Sequence, residues 1–226
     1  MATSYSPSVA VNGLALYLDA ANPKSYPGSG TTWYDLSGNG NNATLINGPT
    51  FNTSKGGYIQ MDGADDYAQI PDNSSLRFTT GFTQIIWVKL NNTITDFYRN
   101  LFGKPNYVCY GMIVEWYGGN PILADFLVGG VRNPIGLGYP STNWVMVAQT
   151  YDSGGGSNNH VLYLRGGATD TIYGTSTGNV DINTEPVRIG QAGLQVDVAA
   201  AMLYNRALSS VEITQNYNAL RTRFGV

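Results

Sequence analysis

The sequence has few of the residues on which catalytic and metal sites most often depend: it contains one cysteine, one histidine and three glutamates among 226 residues. With Cys109 alone, an intramolecular disulfide and a cysteine-based zinc site are excluded, so we interpret this cysteine as a small buried residue. His160 follows a stretch of glycine, serine and asparagine and is predicted to lie in a surface loop, where water would compete with catalysis.

Charge is also scarce, since only 12% of the residues are charged and the net charge is −3. No run of basic residues occurs, which argues against binding to nucleic acid or to an anionic membrane. No apolar run approaches the roughly 18 residues that would span a bilayer. The first residues lack a cationic segment, and the apolar stretch after Val9 is interrupted by Asn12 and Gly13. We therefore predict no secretory signal and synthesis in a cytosol.

Short alternating segments separated by turns are the main structural pattern. The 28 glycines and 10 prolines are spread along the whole chain, as expected for many short strands. Apolar residues recur with period two at 14–18, 86–90, 144–148 and 198–204. Residues 145–147 are apolar on both faces, which predicts a central strand that is covered on each side. The pattern predicts an all-β antiparallel sandwich.

One helix is predicted near the C-terminus. Ser209 and Glu212 have the spacing of a capping box, with Leu208 and Ile213 in the flanking hydrophobic-staple positions. Apolar residues at helical spacing follow as far as Phe224, so we expect the helix to end near residue 223 and to pack on the sandwich, the alternative being a binding face for a partner helix. No linker or repeat divides the chain, which predicts one domain over residues 1–226 with 1–10 as an N-terminal arm.

The glutamates do not form a catalytic pair. A glycosidase needs two carboxylates at a set separation, and strand-borne pairs alternate along one strand. Glu115 has no carboxylate two or four positions away, Glu185 precedes a proline at a turn, and Glu212 belongs to the helix cap. The sequence therefore predicts a protein that is not an enzyme.

Two polar clusters are candidates for a metal site. Residues 35–42 carry oxygens at alternate positions from Asp35 through Asn39, but Ile46 stands where an EF-hand requires its bidentate acid. A looser Ca²⁺ site and an Asx-rich turn remain as alternatives. In residues 62–67, three carboxylates including Asp66 repel one another unless a cation or hydrogen-bond donors compensate them, and a hairpin turn with exposed acids is the alternative.

Aromatic residues are the candidates for ligand binding. They make up 12% of the chain, including 16 tyrosines. Aromatic rings stack on sugars, and a tyrosine hydroxyl adds polar contacts. We take Tyr110, Trp116, Tyr117 and Tyr139, which crowd the central stretch, as candidate carbohydrate-binding residues. Packing inside the sandwich and a protein interface are the alternatives.

Six motifs in order along the chain resemble the laminin G-like (concanavalin A-like lectin/glucanase) family. They lie at residues 13–20, 33–41, 61–67, 144–152, 162–164 and 203–209. The resemblance implies a two-sheet antiparallel jelly roll with a short C-terminal helix, often a Ca²⁺ near one rim, and glycan or protein binding. On this basis Asp35, Asn39 and Asp66 are the candidate Ca²⁺ ligands. Many members have an aspartate just before residues 203–209, where this chain has Ala199, Ala200 and Ala201, a departure that weakens an inherited metal or ligand site.

The asparagine-rich variant of these motifs, including residues 21–28, is similar to domains encoded by bacteriophages and marine bacteria. This similarity implies a non-catalytic protein of the virion surface, a head decoration or a fibre component, made in the host cytoplasm. Its expected partners are other virion proteins or a host-surface glycan, and an oligomer is a further expectation. The alternatives are a free or cell-associated lectin and, less favoured by the residues, a glycoside hydrolase.

Overall fold

The structure, a computed structural model, describes residues 8–91, 98–104, 109–115, 122–138, 143–166 and 170–226. The described residues form strands joined by short turns, with one α-helix near the C-terminus. The strands are β1 Leu14–Asp19, β2 Thr32–Trp33, β3 Ala43–Ile46, β4 Thr50–Asn52, β5 Tyr58–Asp62, β6 Tyr67–Ile70, β7 Gly81–Leu90, β8 Tyr98–Gly103, β9 Tyr110–Glu115, β10 Ile122–Val128, β11 Val131–Arg132, β12 Ile135–Leu137, β13 Val145–Asp152, β14 His160–Arg165, β15 Asp170–Gly174, β16 Val187–Ile189 and β17 Gln195–Tyr204. The helices are α1 Ser210–Leu220 and the 3₁₀ turns Ser54–Gly56, Ser74–Leu76 and Arg221–Arg223.

These strands form two antiparallel sheets. The first sheet has the order β15-β14-β13-β7-β17-β5-β4, and β1 also pairs with β17. The second sheet has the order β11-β10-β9-β8-β16-β6-β3-β2, and β12 also pairs with β10. Their inner faces pack against each other around one apolar core. The predicted two-sheet antiparallel sandwich with a C-terminal helix is confirmed.

The central strands of the first sheet are buried on both faces. In β13, Val145 and Val147 point into the core between the sheets, whereas Met146 and Ala148 belong to a second apolar cluster on the outer face. This alternation is the strand period of two. The prediction of a central strand covered on each side is confirmed, because β13 lies between β7 and β14 and α1 belongs to the outer cluster.

The helix begins at the predicted cap. The backbone N–H of Glu212 donates to Ser209 Oγ at 3.3 Å, and the backbone N–H of Ser209 donates to Glu212 Oε2 at 3.0 Å. The Arg206 guanidinium hydrogen-bonds the same carboxylate and holds the pKa of Glu212 down at about 2. The capping box is confirmed, and the helical segment ends with the 3₁₀ turn at Arg223, where the sequence predicted its end.

The apolar stripe of the helical segment packs on the first sheet. The ring of Trp87 stacks on Phe224, with 4.5 Å between centroids, and on Tyr217 at 5.6 Å. The described end of the N-terminal arm joins the same face, since the backbone N–H of Ala10 donates to Asn216 Oδ1 at 2.7 Å. The helix is thus part of the fold rather than a free binding face. No helix in the described part of the chain has the length and apolar character needed to cross a membrane.

The single cysteine and the single histidine are both buried. Burial raises the pKa of the Cys109 thiol to about 11, in agreement with its interpretation as a small buried residue. The prediction that His160 lies in a surface loop is wrong. His160 is 1% exposed because β14 begins at this residue, so the strand alternation turns its ring inward with Leu162. The ring of Phe126 packs edge-on against it at 4.7 Å.

Candidate functional site

The predicted carbohydrate-binding aromatics are not assembled into a surface by the described residues. Tyr110 is 2% exposed, and its ring packs against Phe78 and Phe82 at 5.1 and 5.4 Å. Its hydroxyl donates to the carbonyl of Leu76 at 2.9 Å, and burial raises the pKa of this hydroxyl. Tyr110 is therefore a core residue, with no face available for a sugar. The other three candidates, Trp116, Tyr117 and Tyr139, lie outside the described residues.

Asp35 organises a turn. Its Oδ1 accepts hydrogen bonds from the backbone N–H groups of Tyr17 and Ser37, both at 2.9 Å. Its Oδ2 accepts from Ser37 Oγ at 2.7 Å and from the backbone N–H of Asn41 at 3.0 Å. The amide nitrogen of Asn39 donates to nearby carbonyls, including that of Leu14 at 3.1 Å. Four donors saturate the carboxylate, so these residues match the Asx-rich turn rather than a cation site.

Asp66, the third predicted metal ligand, belongs to a cluster of acids. Oxygens of Asp62, Asp65 and Asp66 all lie within 4.8 Å of one another. Asp66 is buried and accepts a hydrogen bond from the backbone N–H of Asp62 at 3.1 Å. Burial, assisted by repulsion from the two neighbouring carboxylates, raises the pKa of Asp66. Carboxylate oxygens are the donors that Ca²⁺ prefers, so this cluster fits the ion, whereas Asp35 and Asn39 do not. These three side chains would hold Ca²⁺, and the positive charge of the ion would offset the repulsion between their carboxylates.

Replacing Asp66 with asparagine is expected to raise the melting temperature in EDTA at pH 7, because the charged form of this side chain is disfavoured in the folded state. Because the folded-state pKa of Asp66 is raised, the stability contributed by this group is complete at acid pH and is lost as the pH rises through that value. Asparagine keeps an acceptor for the Asp62 N–H and removes the charge. Scanning calorimetry with EDTA and with Ca²⁺ measures both effects.

The matched control for this substitution is Asp170→Asn, a change of equal charge at an exposed position of β15. If the cluster holds Ca²⁺, the ion should stabilise the original chain and not the Asp66 variant. A lower melting temperature for D66N than for the original chain in EDTA would contradict the prediction.

Beside this cluster lies a pocket of about 240 Å³ on the outer side of the second sheet. It is lined by Asn47, Asp65, Tyr67, Asn100, Arg188, Gly190, Gln191 and Ala192. Its walls are the 62–66 turn and the 190–194 loop, which are joined by a hydrogen bond from the backbone N–H of Gly193 to the carbonyl of Gly63 at 2.8 Å. Asn47 Nδ2 donates to the carbonyl of Asp65 at 3.0 Å and ties a third turn to the same rim.

The floor of the pocket is built by the pairing of β6 with β16. Arg188 lies opposite Gln69 in the antiparallel register. Because Ala68 and Ile189 face the core, the alternation of each strand turns Tyr67, Gln69 and Arg188 outward. Arg188 Nε donates to Gln69 Oε1 at 3.2 Å, and its guanidinium carbon lies 5.0 Å from the centroid of the Tyr67 ring. These two contacts hold the guanidinium in a fixed position.

The 190–194 loop is fastened to β8. The backbone N–H of Asn100 donates to Gln191 Oε1 at 2.7 Å, and Asn100 Nδ2 donates to the carbonyl of Arg188 at 3.2 Å. The loop can follow this path only with glycine at two positions. Gly190 and Gly193 have φ of 81° and 84°, and a Cβ atom would collide with Met61 Sδ at the first and with the Arg99 guanidinium at the second.

Chemically, the pocket offers binding groups rather than catalytic ones. Amide groups of Asn47, Asn100 and Gln191, a guanidinium and an aromatic ring surround the cavity, and Asp65 is the one carboxylate among its described lining residues. Two further cavities, of about 300 and 590 Å³, have no aromatic side chain in their described lining. Sequence reasoning singled out the 62–67 segment but missed Arg188 and Gln191. The outward position of Arg188 was signalled only by the apolar residues on either side of it.

Residues 62–214 match the family model described as the concanavalin A-like lectin/glucanases superfamily. This match covers more than half of the chain and every residue that lines the pocket except Asn47. The chain belongs to the concanavalin A-like lectin/glucanase superfamily. The resemblance inferred from the sequence motifs is thereby confirmed. A search of the curated proteins found no match.

Several solved structures share this superfamily's sandwich. The binding domain of botulinum neurotoxin DC in complex with SialylT aligns with a TM-score of 0.70 at 13% identity, covering 93% of this chain and 52% of that one. A structure of botulinum neurotoxin type C, whose cell entry depends on two ganglioside molecules, aligns with a TM-score of 0.68 at 13% identity and covers 91% and 51%. The Trypanosoma rangeli sialidase in complex with sialic acid aligns with a TM-score of 0.60 at 17% identity and covers 93% and 33%. The chain thus spans about half the length of the two neurotoxin structures and a third of the sialidase.

Proposed function

We propose that this concanavalin A-like chain is a non-catalytic carbohydrate-binding module and that the pocket over Tyr67 and Arg188 is its binding site. The observation that carries the proposal is the fixed guanidinium on an aromatic ring, surrounded by side-chain amides at the rim of a cavity of about 240 Å³. Sugar hydroxyls both donate and accept hydrogen bonds, and amides and guanidinium groups offer the matching donors and acceptors. The structures named above, in complex with SialylT or with sialic acid or of a toxin whose cell entry depends on gangliosides, support the same role.

The two glutamates whose side chains are described do not form a catalytic pair, which supports binding without turnover. Glycoside hydrolysis uses two carboxyl groups about 5–10 Å apart on either side of the scissile bond. Of the three glutamates, Glu212 is engaged by Arg206 at the helix cap, Glu185 is exposed beside Pro186, and the side chain of Glu115 lies outside the described residues. We expect no sugar release from laminarin-type polysaccharides, as measured by a reducing-end assay.

Glycan binding should depend on Tyr67. The experiment is a glycan array run with the whole chain, followed by calorimetric titration of the best glycan. Tyr67→Ala is expected to weaken binding roughly tenfold, because it removes both the ring contact and the support under Arg188. Tyr67→Phe keeps the ring and should retain most of the affinity.

The matched control is Tyr173→Ala, which removes a tyrosine that is 60% exposed on β15 of the first sheet. It is expected to leave the affinity unchanged. An array on which no glycan binds the original chain would overturn the proposal, as would a Tyr67→Ala variant that binds as tightly as the control.

The sequence also predicts a setting, a virion surface protein with virion partners or a host-surface glycan, and this stays a prediction. A glycan-binding module would serve a virion by attaching it to a host and would serve a free lectin equally. Mass spectrometry and antibody labelling of purified particles from the source would distinguish these settings. A virion protein should be recovered with the particles at a fixed stoichiometry, whereas a free lectin should not.

A further inference from the structure

We infer that the pocket selects sugars that carry a carboxylate and that Arg188 is the residue that selects them. This inference rests on the proposed carbohydrate binding and adds the chemical class of the ligand. The arginines of the chain differ in whether their charge is neutralised by a carboxylate. Four of them form ion pairs with carboxylates: Arg77 with Asp72, Arg132 with Asp125, Arg206 with Glu212 and Arg223 with Asp19.

Arg188 differs from these four. No carboxylate oxygen of the described residues lies within 4 Å of its guanidinium, although Asp65 lines the same pocket. A guanidinium keeps its charge at all ordinary pH values. The floor of the pocket therefore carries a positive charge that is half-buried and forms no ion pair with a described carboxylate.

The unused donors of Arg188 are those that suit a carboxylate. Its Nε–H is taken by Gln69 Oε1, and within the described residues its terminal nitrogens make no hydrogen bond. A guanidinium offers five donors in a planar fork, and two of them can grip both oxygens of one carboxylate. Since Gln69 and Tyr67 hold the fork in place, little side-chain freedom is lost when the ligand binds.

Asp65 restricts the ligand further. In the absence of a bound cation, the Asp65 carboxylate in the wall repels a second anionic group, while it accepts hydrogen bonds from sugar hydroxyls. The pocket thus suits a sugar that has one carboxylate and several hydroxyl groups, of the sialic or uronic acid type. It is poorly suited to a densely sulfated chain.

The test compares oligosaccharides that differ only at the carboxyl group. The whole chain is titrated calorimetrically with sialyllactose and with its methyl ester, and with a glucuronic acid disaccharide and its carboxyl-reduced counterpart. The acids are expected to bind about 10- to 100-fold more tightly than their neutral counterparts, the range for a hydrogen bond to a charged group. Arg188→Gln should abolish this difference, and Arg188→Lys, which keeps the charge without the fork, should retain part of it.

The control variant is Arg221→Gln, the same change at an exposed arginine beside the helix. It should leave the preference for acids intact. Equal binding of acid and ester by the original chain would overturn the inference and leave the proposed function standing, and this comparison needs no variant to fold. An equal loss of acid and ester binding in Arg188→Gln would also overturn it. If the original chain binds no glycan, the proposed carbohydrate binding is itself overturned.

Discussion

Lowering the pH from 7 to 4 is expected to reduce the free energy of unfolding by about 3 kcal/mol through His160 alone. Burial lowers the pKa of the His160 imidazole to about 3, whereas an unfolded chain has the ordinary value near 6.5. Between these two pH values the imidazole of His160 is protonated in the unfolded state and neutral in the folded state. Stability therefore falls as the pH falls from 6.5 towards 3, because acid favours the unfolded chain.

The variant that isolates this effect is His160→Leu. It should be less stable than the original chain at pH 7, because Gln149 Nε2, which lies 3.1 Å from His160 Nε2, loses its partner. Its stability should nevertheless depend much less on pH. Urea unfolding at pH 7, 6, 5 and 4 measures both chains, and the difference between them removes the shared acid losses of Glu212 and Asp72, whose pKa values are lowered by arginine partners. If the free energy of unfolding falls equally with pH in the two chains, His160 is not the cause of the acid destabilisation.

Truncating Trp87 to alanine is expected to cost about 3–5 kcal/mol of stability, the range for removing a buried aromatic side chain. Trp87 is fully buried in the middle of the first sheet and stacks on both Phe224 and Tyr217. Its removal leaves a cavity under the helical segment that neighbouring rings cannot fill. For a chain of this size the melting temperature should fall by roughly 6–20 °C.

Two further variants make this prediction specific. Trp87→Phe keeps a stacked ring and removes an indole N–H that has no acceptor among the described residues, so it should cost much less than the alanine change. Val211→Ala changes a residue of α1 that is 74% exposed and should stay within about 0.5 kcal/mol of the original chain. Denaturant titration ranks the three variants, and a Trp87→Ala loss as small as that of Val211→Ala would refute the packing argument.

The local parts of this structure could be predicted because their signals are local. Alternation at 144–148 marks a strand whichever partner it finds, and the spacing of Ser209 and Glu212 marks a helix start through contacts within four residues. The burial of Tyr110 and His160 was not predicted. Each residue follows loop-like sequence, and its ring faces the core because the residue begins a strand that pairs with the neighbouring strand of the chain, at Phe126 for Tyr110 and at Tyr151 for His160.

The candidate site also depends on contacts that local sequence does not reveal. Tyr67 lies in a segment that was singled out for its acids, but Arg188 comes 121 positions later, and the two meet only because β6 pairs with β16 in one register. A one-residue slip of β16 would turn Arg188 into the core and Ile189 outward. Register depends on the whole second sheet, so the sequence around either residue could not reveal the pair.

Residues 8–10 and the C-terminal helix both pack on the outer face of the first sheet, which places both ends of the described chain on one side of the molecule. Ala10 and Phe224, near the two ends of the described chain, lie on one flank of the sandwich, and the pocket opens on the other. Copies tethered through either end to a common support would all present their pockets away from it. If the pocket binds glycans as proposed, a display of this kind would make attachment stronger than a single site allows, since each bound sugar raises the effective concentration of the next.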